Sequence, residues 1–198
     1  MLPLEKYSLP ITDFENDILK KTILNHKKRY SVTRPIKWES YTKAVSNIKF
    51  VSGRDWGQKF PLLTFETLFY NYVYDKIDDY VQRNLPDRIG DPYHTDNCWY
   101  MIYEGDARQV AHNHIHTMEV ETADYLCSGI YYPEMPKDGY RVLNTYTDNP
   151  KEGGKLQERF FPKEKELFLF DCGLWHEPVQ KETKSRSIAV AFDVHFIS

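Results

Sequence analysis

The chain has 198 residues, a net charge of −3, and 41% hydrophobic and 15% aromatic content. That length supports one domain with a sizeable core, and the charge balance excludes a broad basic face for a nucleic-acid backbone. Cys98, Cys127 and Cys172 have neither zinc-ribbon nor thioredoxin spacing. With no secretory pattern in Met1–Pro10 and no apolar stretch of membrane-spanning length, the expectation is a cytoplasmic protein.

Residues 1–95 read as a helical part and 96–198 as a β core of the same single domain. Thr12 with Glu15 makes a capping box, followed by Phe14, Ile18, Leu19 and Ile23 at helical spacing. Lys20, Lys21, Lys27, Lys28 and Arg29 then form a solvated helix end. Val51 to Phe60, with Gly53 and Gly57, reads as loop or hairpin. A second helix is capped by Thr64, carries Phe65, Leu68, Phe69, Tyr72, Val73, Ile77, Tyr80 and Val81 on one stripe, and ends near Asn84, before Leu85-Pro86. The β core contains candidate strands Cys98–Glu104, Gln109–His116, Leu126–Tyr132, Tyr140–Tyr146, Lys155–Phe161, Glu166–Asp171, Leu174–Gln180 and Arg186–Phe196. Eight short strands suit a jelly roll, the double-stranded β-helix of cupin-like proteins, with the helices packed outside.

Two places concentrate histidine. In Gln109–His116, alternation puts His112, His114 and His116 on one strand face, with Asn113 and Ile115 opposite. Such a row suits a metal that takes neutral imidazole, whereas a single histidine on a strand is more often an ordinary core residue. His176 follows the apolar run Leu167–Phe170, which should deliver it into the barrel. In the last strand, Arg186 shares a face with Ile188, Val190, Phe192, Val194 and Phe196, while Ser187 and Asp193 lie opposite. If the large apolar face is the interior, Arg186 needs an anion there, either a protein acid at the barrel mouth or a bound dicarboxylate.

In order and spacing these segments resemble the 2-oxoglutarate/iron(II)-dependent oxygenase superfamily. More narrowly, they resemble small bacterial and phage proteins of that type with a His-x-His motif. The residues that carry the resemblance are Tyr103-Glu104-Gly105-Asp106, His112-Asn113-His114, Ser128-Gly129-Ile130-Tyr131-Tyr132, Phe168-Leu169-Phe170 with Trp175-His176, and Arg186 to Phe192. The resemblance implies iron(II) held by His176 and two of His112, His114 and His116. It implies 2-oxoglutarate as co-substrate with its far carboxylate on Arg186, and O2 as the oxidant. An unidentified substrate would be hydroxylated with release of succinate and CO2. Tyr131 or Tyr132 would supply the hydroxyl that Ile188 lacks, and Tyr103, Trp99, Tyr100 and Trp175 are candidates for the pocket wall. One departure is the missing carboxylate ligand, for which Glu119, Glu121 and Asp124 are the nearest acids. Two other readings stand beside this one: a non-enzymatic jelly-roll module, and a metal-dependent cupin enzyme that does not use 2-oxoglutarate.

Overall fold

A computed structural model describes residues 2–30, 71–115 and 124–197. The chain forms β1 (Glu5–Ser8), α1 (Asp13–Tyr30), α2 (Asn71–Asn84), a 3-10 turn (Pro86–Arg88), β2 (Tyr93–Glu104), β3 (Ala107–Arg108), β4 (Tyr125–Glu134), β5 (Tyr140–Tyr146), β6 (Leu156–Phe160), β7 (Glu166–Phe170), β8 (Trp175–Lys181) and β9 (Arg186–Phe196). The strands make two antiparallel sheets, ordered β1-β7-β4-β9-β2 and β3-β8-β5-β6. They face each other in a jelly roll, as the turn spacing predicts. Among the described residues no helix is long and apolar enough to cross a membrane.

The capping box forms: the Thr12 backbone N–H donates to Glu15 Oε2 at 2.8 Å, and the Glu15 N–H donates to Thr12 Oγ1 at 3.2 Å. The buried face of α1 differs from the apolar stripe, since Phe14 is 75% exposed and Asn16 is buried instead. Asn16 Nδ2 donates to the Pro133 carbonyl at 2.9 Å, and Asn16 Oδ1 accepts from the Tyr131 hydroxyl at 3.0 Å. This polar clasp fixes the rotation of the helix and turns Leu19 and Ile23 inward. In α2, Val73, Ile77, Tyr80 and Val81 form the buried stripe, and the helix ends at Asn84 as expected. Thr64, Phe65, Leu68, Phe69 and the Val51–Phe60 segment lie outside the described residues.

The five-stranded sheet is buried on both faces. Its outer face packs Tyr100, Tyr131, Leu167, Ile188, Val190 and Phe192 against the helical residues Leu19, Ile23, Ile77 and Tyr80. Its inner face brings Met101, Tyr103, Ile130, Tyr132, Phe168, Phe170, Ala189 and Ala191 together with Leu143 of the second sheet. This reverses the expected inside of β9. The large apolar residues face the helices, and Ser187, Ala189, Ala191 and Asp193 face the barrel interior. β1, which the sequence reading left out, adds to the edge of the larger sheet by pairing with β7.

Close approach at the β4–β9 pair demands glycine. Gly129 lies opposite Phe192, and a Cβ there would fall 2.1 Å from the ring's Cζ. Gly129→Ala should therefore destabilise the fold by about 1–3 kcal/mol through overpacking. Urea denaturation should show a lowered midpoint at unchanged slope, with part of the loss recovered in Gly129→Ala/Phe192→Leu.

Candidate metal centre

The segment after β3 runs along β8 but is not the regular strand expected for Gln109–His116. Ala107 and Arg108 pair with Gln180 and Val179, and the Gln109 N–H donates to the Pro178 carbonyl at 2.9 Å. His112 then bridges to His176. Four residues on this side, Gln109 to His112, therefore match three on β8, Pro178 to His176. That extra residue is a bulge, and it resets which side chains point inward. The His112 and His176 backbones exchange both hydrogen bonds, at 3.0 and 2.9 Å. One residue further on from Asn113, the His114 N–H donates to the Cys172 carbonyl at 2.9 Å.

These anchors bring His112, His114 and His176 together, with one ring nitrogen of each within 4.8 Å of those of the others. The ring centroids of His112 and His176 are 4.3 Å apart, and those of His114 and His176 are 5.1 Å apart. His116 lies outside the described residues. Each Nδ1 already has an acceptor. His112 donates to the Val110 carbonyl at 2.9 Å, His176 to the Leu174 carbonyl at 2.9 Å, and His114 to Asp193 Oδ1 at 2.6 Å. With Nδ1 the donor, Nε2 is the lone-pair nitrogen of each ring and the atom that could ligate a common ion, the usual arrangement when a second partner fixes the tautomer.

Burial keeps two of the rings, His112 and His176, in the ligating form. Burial, with His114 beside it, pushes His112 down to about 3. Burial, with His112 and His114 as neighbours, holds His176 well below the usual histidine range. Imidazole nitrogens suit iron, zinc, copper or nickel, so the residues present fit a first-row divalent ion. Gln109 borders the cluster, with Nε2 3.1 Å from His112 Nε2 and Oε1 3.4 Å from the Tyr103 hydroxyl. Asp193 is the acid at this site that sequence reasoning passed over. It is 1% exposed and accepts from the Ser128 hydroxyl at 2.7 Å as well as from His114. Burial alone would raise its carboxyl, but the His114 ring and these hydrogen bonds outweigh burial and hold it below the usual range. Of the acids considered as ligands, Asp124 is committed to Arg88 at 2.8 Å, and Glu119 and Glu121 lie outside the described residues.

Arg186 is not inside the barrel. Its side chain is 43% exposed at the sheet end, and it forks onto Glu134 with contacts of 2.9 and 3.2 Å. The buried arginine is Arg141 of β5, which is 1% exposed. Its guanidinium lies 3.8 Å from the Tyr103 ring centroid and 5.1 Å from that of Tyr132. Nη1 donates to Ser187 Oγ at 2.6 Å, Ser187 donates to Gln180 Oε1 at 2.5 Å, and Gln180 Nε2 donates to the Gly105 carbonyl at 2.7 Å. Nε and Nη2 of Arg141, and the Tyr132 hydroxyl, are buried without a hydrogen-bond partner. Tyr103 and Tyr132 thus stand with the buried cation. Tyr131 and Tyr100 belong to the helix-side core instead, and the Trp99 side chain lies outside the described residues.

The fold matches those of known non-haem oxygenases. The α-ketoglutarate-dependent carbocyclase SnoK from nogalamycin biosynthesis aligns over 98% of this chain and 79% of its own, at TM-score 0.69 and 6% identity. A prolyl-4-hydroxylase from Pseudomonas putida aligns over 98% and 93%, at TM-score 0.57 and 12% identity. The collagen prolyl hydroxylase of Paramecium Bursaria Chlorella virus-1, solved with 2-oxoglutarate, aligns over 98% and 96%, at TM-score 0.55 and 13% identity. At such identities the likeness is one of fold. No protein-family model matches the sequence, and no curated protein matches it.

The depressed histidines carry a stability signature in the metal-free protein. Below about pH 6.5 an unfolded histidine takes up a proton that folded His112 and His176 refuse. The unfolded state then binds more protons, so stability is intact above that pH and is lost as pH falls towards the folded values. The slope can reach about 1.4 kcal/mol per pH unit for each ring. Urea unfolding of the metal-free chain between pH 7.5 and 5 should show this fall. His112→Gln should flatten it, and an unchanged slope in that variant would count against a neutral His112.

Proposed function

We propose that the chain is an iron(II)- and 2-oxoglutarate-dependent dioxygenase. In this reading His112, His114 and His176 hold the metal, and Arg141 holds the far carboxylate of the co-substrate. Iron(II) bound with 2-oxoglutarate and O2 supplies oxidative decarboxylation to succinate and CO2, coupled to hydroxylation of a substrate C–H bond. The protein's part is placement and exclusion of water.

One observation carries the reading: a fully buried guanidinium with two open donor nitrogens, in the same barrel interior as the three clustered histidines. A buried arginine cannot shed its charge. Among the described residues no carboxylate pairs with Arg141, so an anion from outside is its natural partner. The planar fork suits a carboxylate gripped through two N–H groups, and the Tyr132 hydroxyl beside it can donate a further bond. In the sheet register Arg141 lies opposite Gln180, and Thr145 lies opposite His176. Those four residues correspond to roughly 13 Å along the strand, a gap that an arginine arm and a five-carbon dicarboxylate can share. Phe168 and Phe170 line the space between the sheets and keep it dry. A second reading, a cupin-type enzyme without 2-oxoglutarate, is favoured by one feature only, the third histidine where the superfamily places a carboxylate.

His176→Ala should abolish stoichiometric metal binding while the melting transition persists. Retained metal would remove His176 from the ligand set. Arg141→Ala should weaken 2-oxoglutarate binding by about a hundred- to a few-thousandfold, since breaking a buried charged pair costs roughly 3–5 kcal/mol at about 1.4 kcal/mol per tenfold. Arg186→Ala should change that affinity by no more than about twofold, because an exposed ion pair contributes little. Arg141→Met should leave the ligand-free protein more stable than wild type, by about 1–4 kcal/mol, because an apolar side chain replaces an unpaired buried charge. Calorimetry with an inert divalent metal and 2-oxoglutarate checks the first two. Unchanged binding in Arg141→Ala would shift the reading to the cupin-type enzyme.

A further inference from the structure

Imidazole brings no negative charge to a metal, yet a buried carboxylate sits one ring away from the proposed ion position. Asp193 Oδ1 accepts the His114 Nδ1–H at 2.6 Å and the Ser128 hydroxyl at 2.7 Å. Its Oδ2 is buried without a hydrogen-bond partner. A carboxylate so placed is costly unless a positive charge compensates it. Ser128 Oγ, 2.8 Å from His114 Nδ1 and 3.2 Å from Cys172 Sγ, is neutral and cannot do so. His195, two residues along on the same face of β9, also acts electrostatically on Asp193. His114 is the group in direct contact, and its ring lies with those of His112 and His176, one nitrogen of each within 4.8 Å of the others.

We propose that Asp193 is the charge partner of the metal centre. It fixes His114 with Nε2 presented to the ion, and it supplies from one imidazole away the negative charge that a carboxylate ligand would supply directly. The inference rests on the three histidines being the metal site. It makes Asp193 a positioning residue rather than a ligand. His112 and His176 donate only to backbone carbonyls, so His114 is the one ligand polarised by a full charge. A second consequence concerns the ligand itself. If His114 is replaced by aspartate, the charge moves onto the metal and Asp193 becomes a surplus buried anion.

Cobalt(II) affinity, measured by chelator competition without oxygen, tests this. Wild type should bind one ion and His176→Ala none; failure of wild type to bind would overturn the metal site itself and the inference with it. Given that binding, Asp193→Asn should weaken cobalt ten- to a hundredfold, the usual range for loss of a partner behind a ligand. Ser128→Ala, which removes only a neutral donor, should stay within about threefold. In the His114→Asp background, Asp193→Asn should leave affinity unchanged or raise it. Equal losses in both backgrounds, or a Ser128→Ala loss as large as that of Asp193→Asn, would show that Asp193 merely supports the fold and would overturn the proposal. A measurement on unmutated protein guards against variants that do not fold. In the zinc(II)-loaded chain with nitrogen-15 histidine, all three ligands should be metallated at Nε2, with the His114 Nδ1 proton furthest downfield. A His114 ring bound through Nδ1, or an Nδ1 proton no further downfield than those of the other two, would also refute it.

Discussion

His112 and His176 exchange both of their backbone hydrogen bonds, at 3.0 and 2.9 Å, across an otherwise irregular stretch of chain. Those two bonds hold the site together. His176 is fixed by β8, a strand paired along its length with β5. His112 belongs to a segment with little regular structure, and the bridge ties it to that strand. The bulge between Gln109 and His112 then lets the chain turn so that His114 reaches the same point. Without the bridge, the His-x-His motif would be a loop free to place its rings elsewhere. With it, two rings 64 residues apart in sequence have centroids 4.3 Å apart, and each Nδ1 finds a carbonyl in its own local turn.

The order of elements was legible because turn residues and strand periodicity are local. Tyr140–Tyr146 and Arg186–Phe196 fall where the pattern puts them. The inward direction of a strand was not legible in the same way. β9 is buried along nearly its whole length, so alternation there separates two interiors and not inside from outside. The helix-facing side takes Ile188, Val190 and Phe192, because helices need large apolar surface. The narrow gap between the sheets takes Ala189 and Ala191 and leaves space for polar groups. Choosing the bulky face as the barrel interior therefore placed Arg186 within and Ser187 and Asp193 without, a one-residue parity error with large chemical consequences.

Arg141 was hidden for a related reason. One arginine in the middle of a strand, between Tyr140 and Val142, usually points to solvent, and nothing local marks it as buried. Its environment is assembled from distant chain: Tyr103 on β2, Tyr132 on β4, Ser187 on β9 and Gln180 on β8. The relay from Arg141 through Ser187 and Gln180 to the Gly105 carbonyl consumes each donor in one direction. It fixes the guanidinium in place while leaving Nε and Nη2 open. Asn16 illustrates the same limit on the outer face, where a partner 115 residues away decides which side of α1 is buried. The histidines were more visible because their spacing is itself local, although the bulge alters how they meet.

Charge gives the arrangement its logic. Among the described residues the barrel interior holds a buried cation, Arg141, and a buried anion, Asp193, with the histidine cluster between them. In the proposed function a divalent ion on the histidines would raise the positive charge to three, counting the guanidinium. A dicarboxylate reaching from the ion to Arg141 would raise the negative charge to three, counting Asp193. The filled site would then be neutral overall, although neither added component would balance it alone. In a low-dielectric interior a net residual charge is expensive, so the ion and the dianion should each favour the other's binding. A carboxylate ligand at position 114 with Asp193 retained would break that balance by one unit. On these grounds the third histidine is not a defect in a two-histidine-one-carboxylate site. In the proposed site the carboxylate stands one imidazole outward, which would preserve the total charge and leave a softer, all-nitrogen face towards the metal.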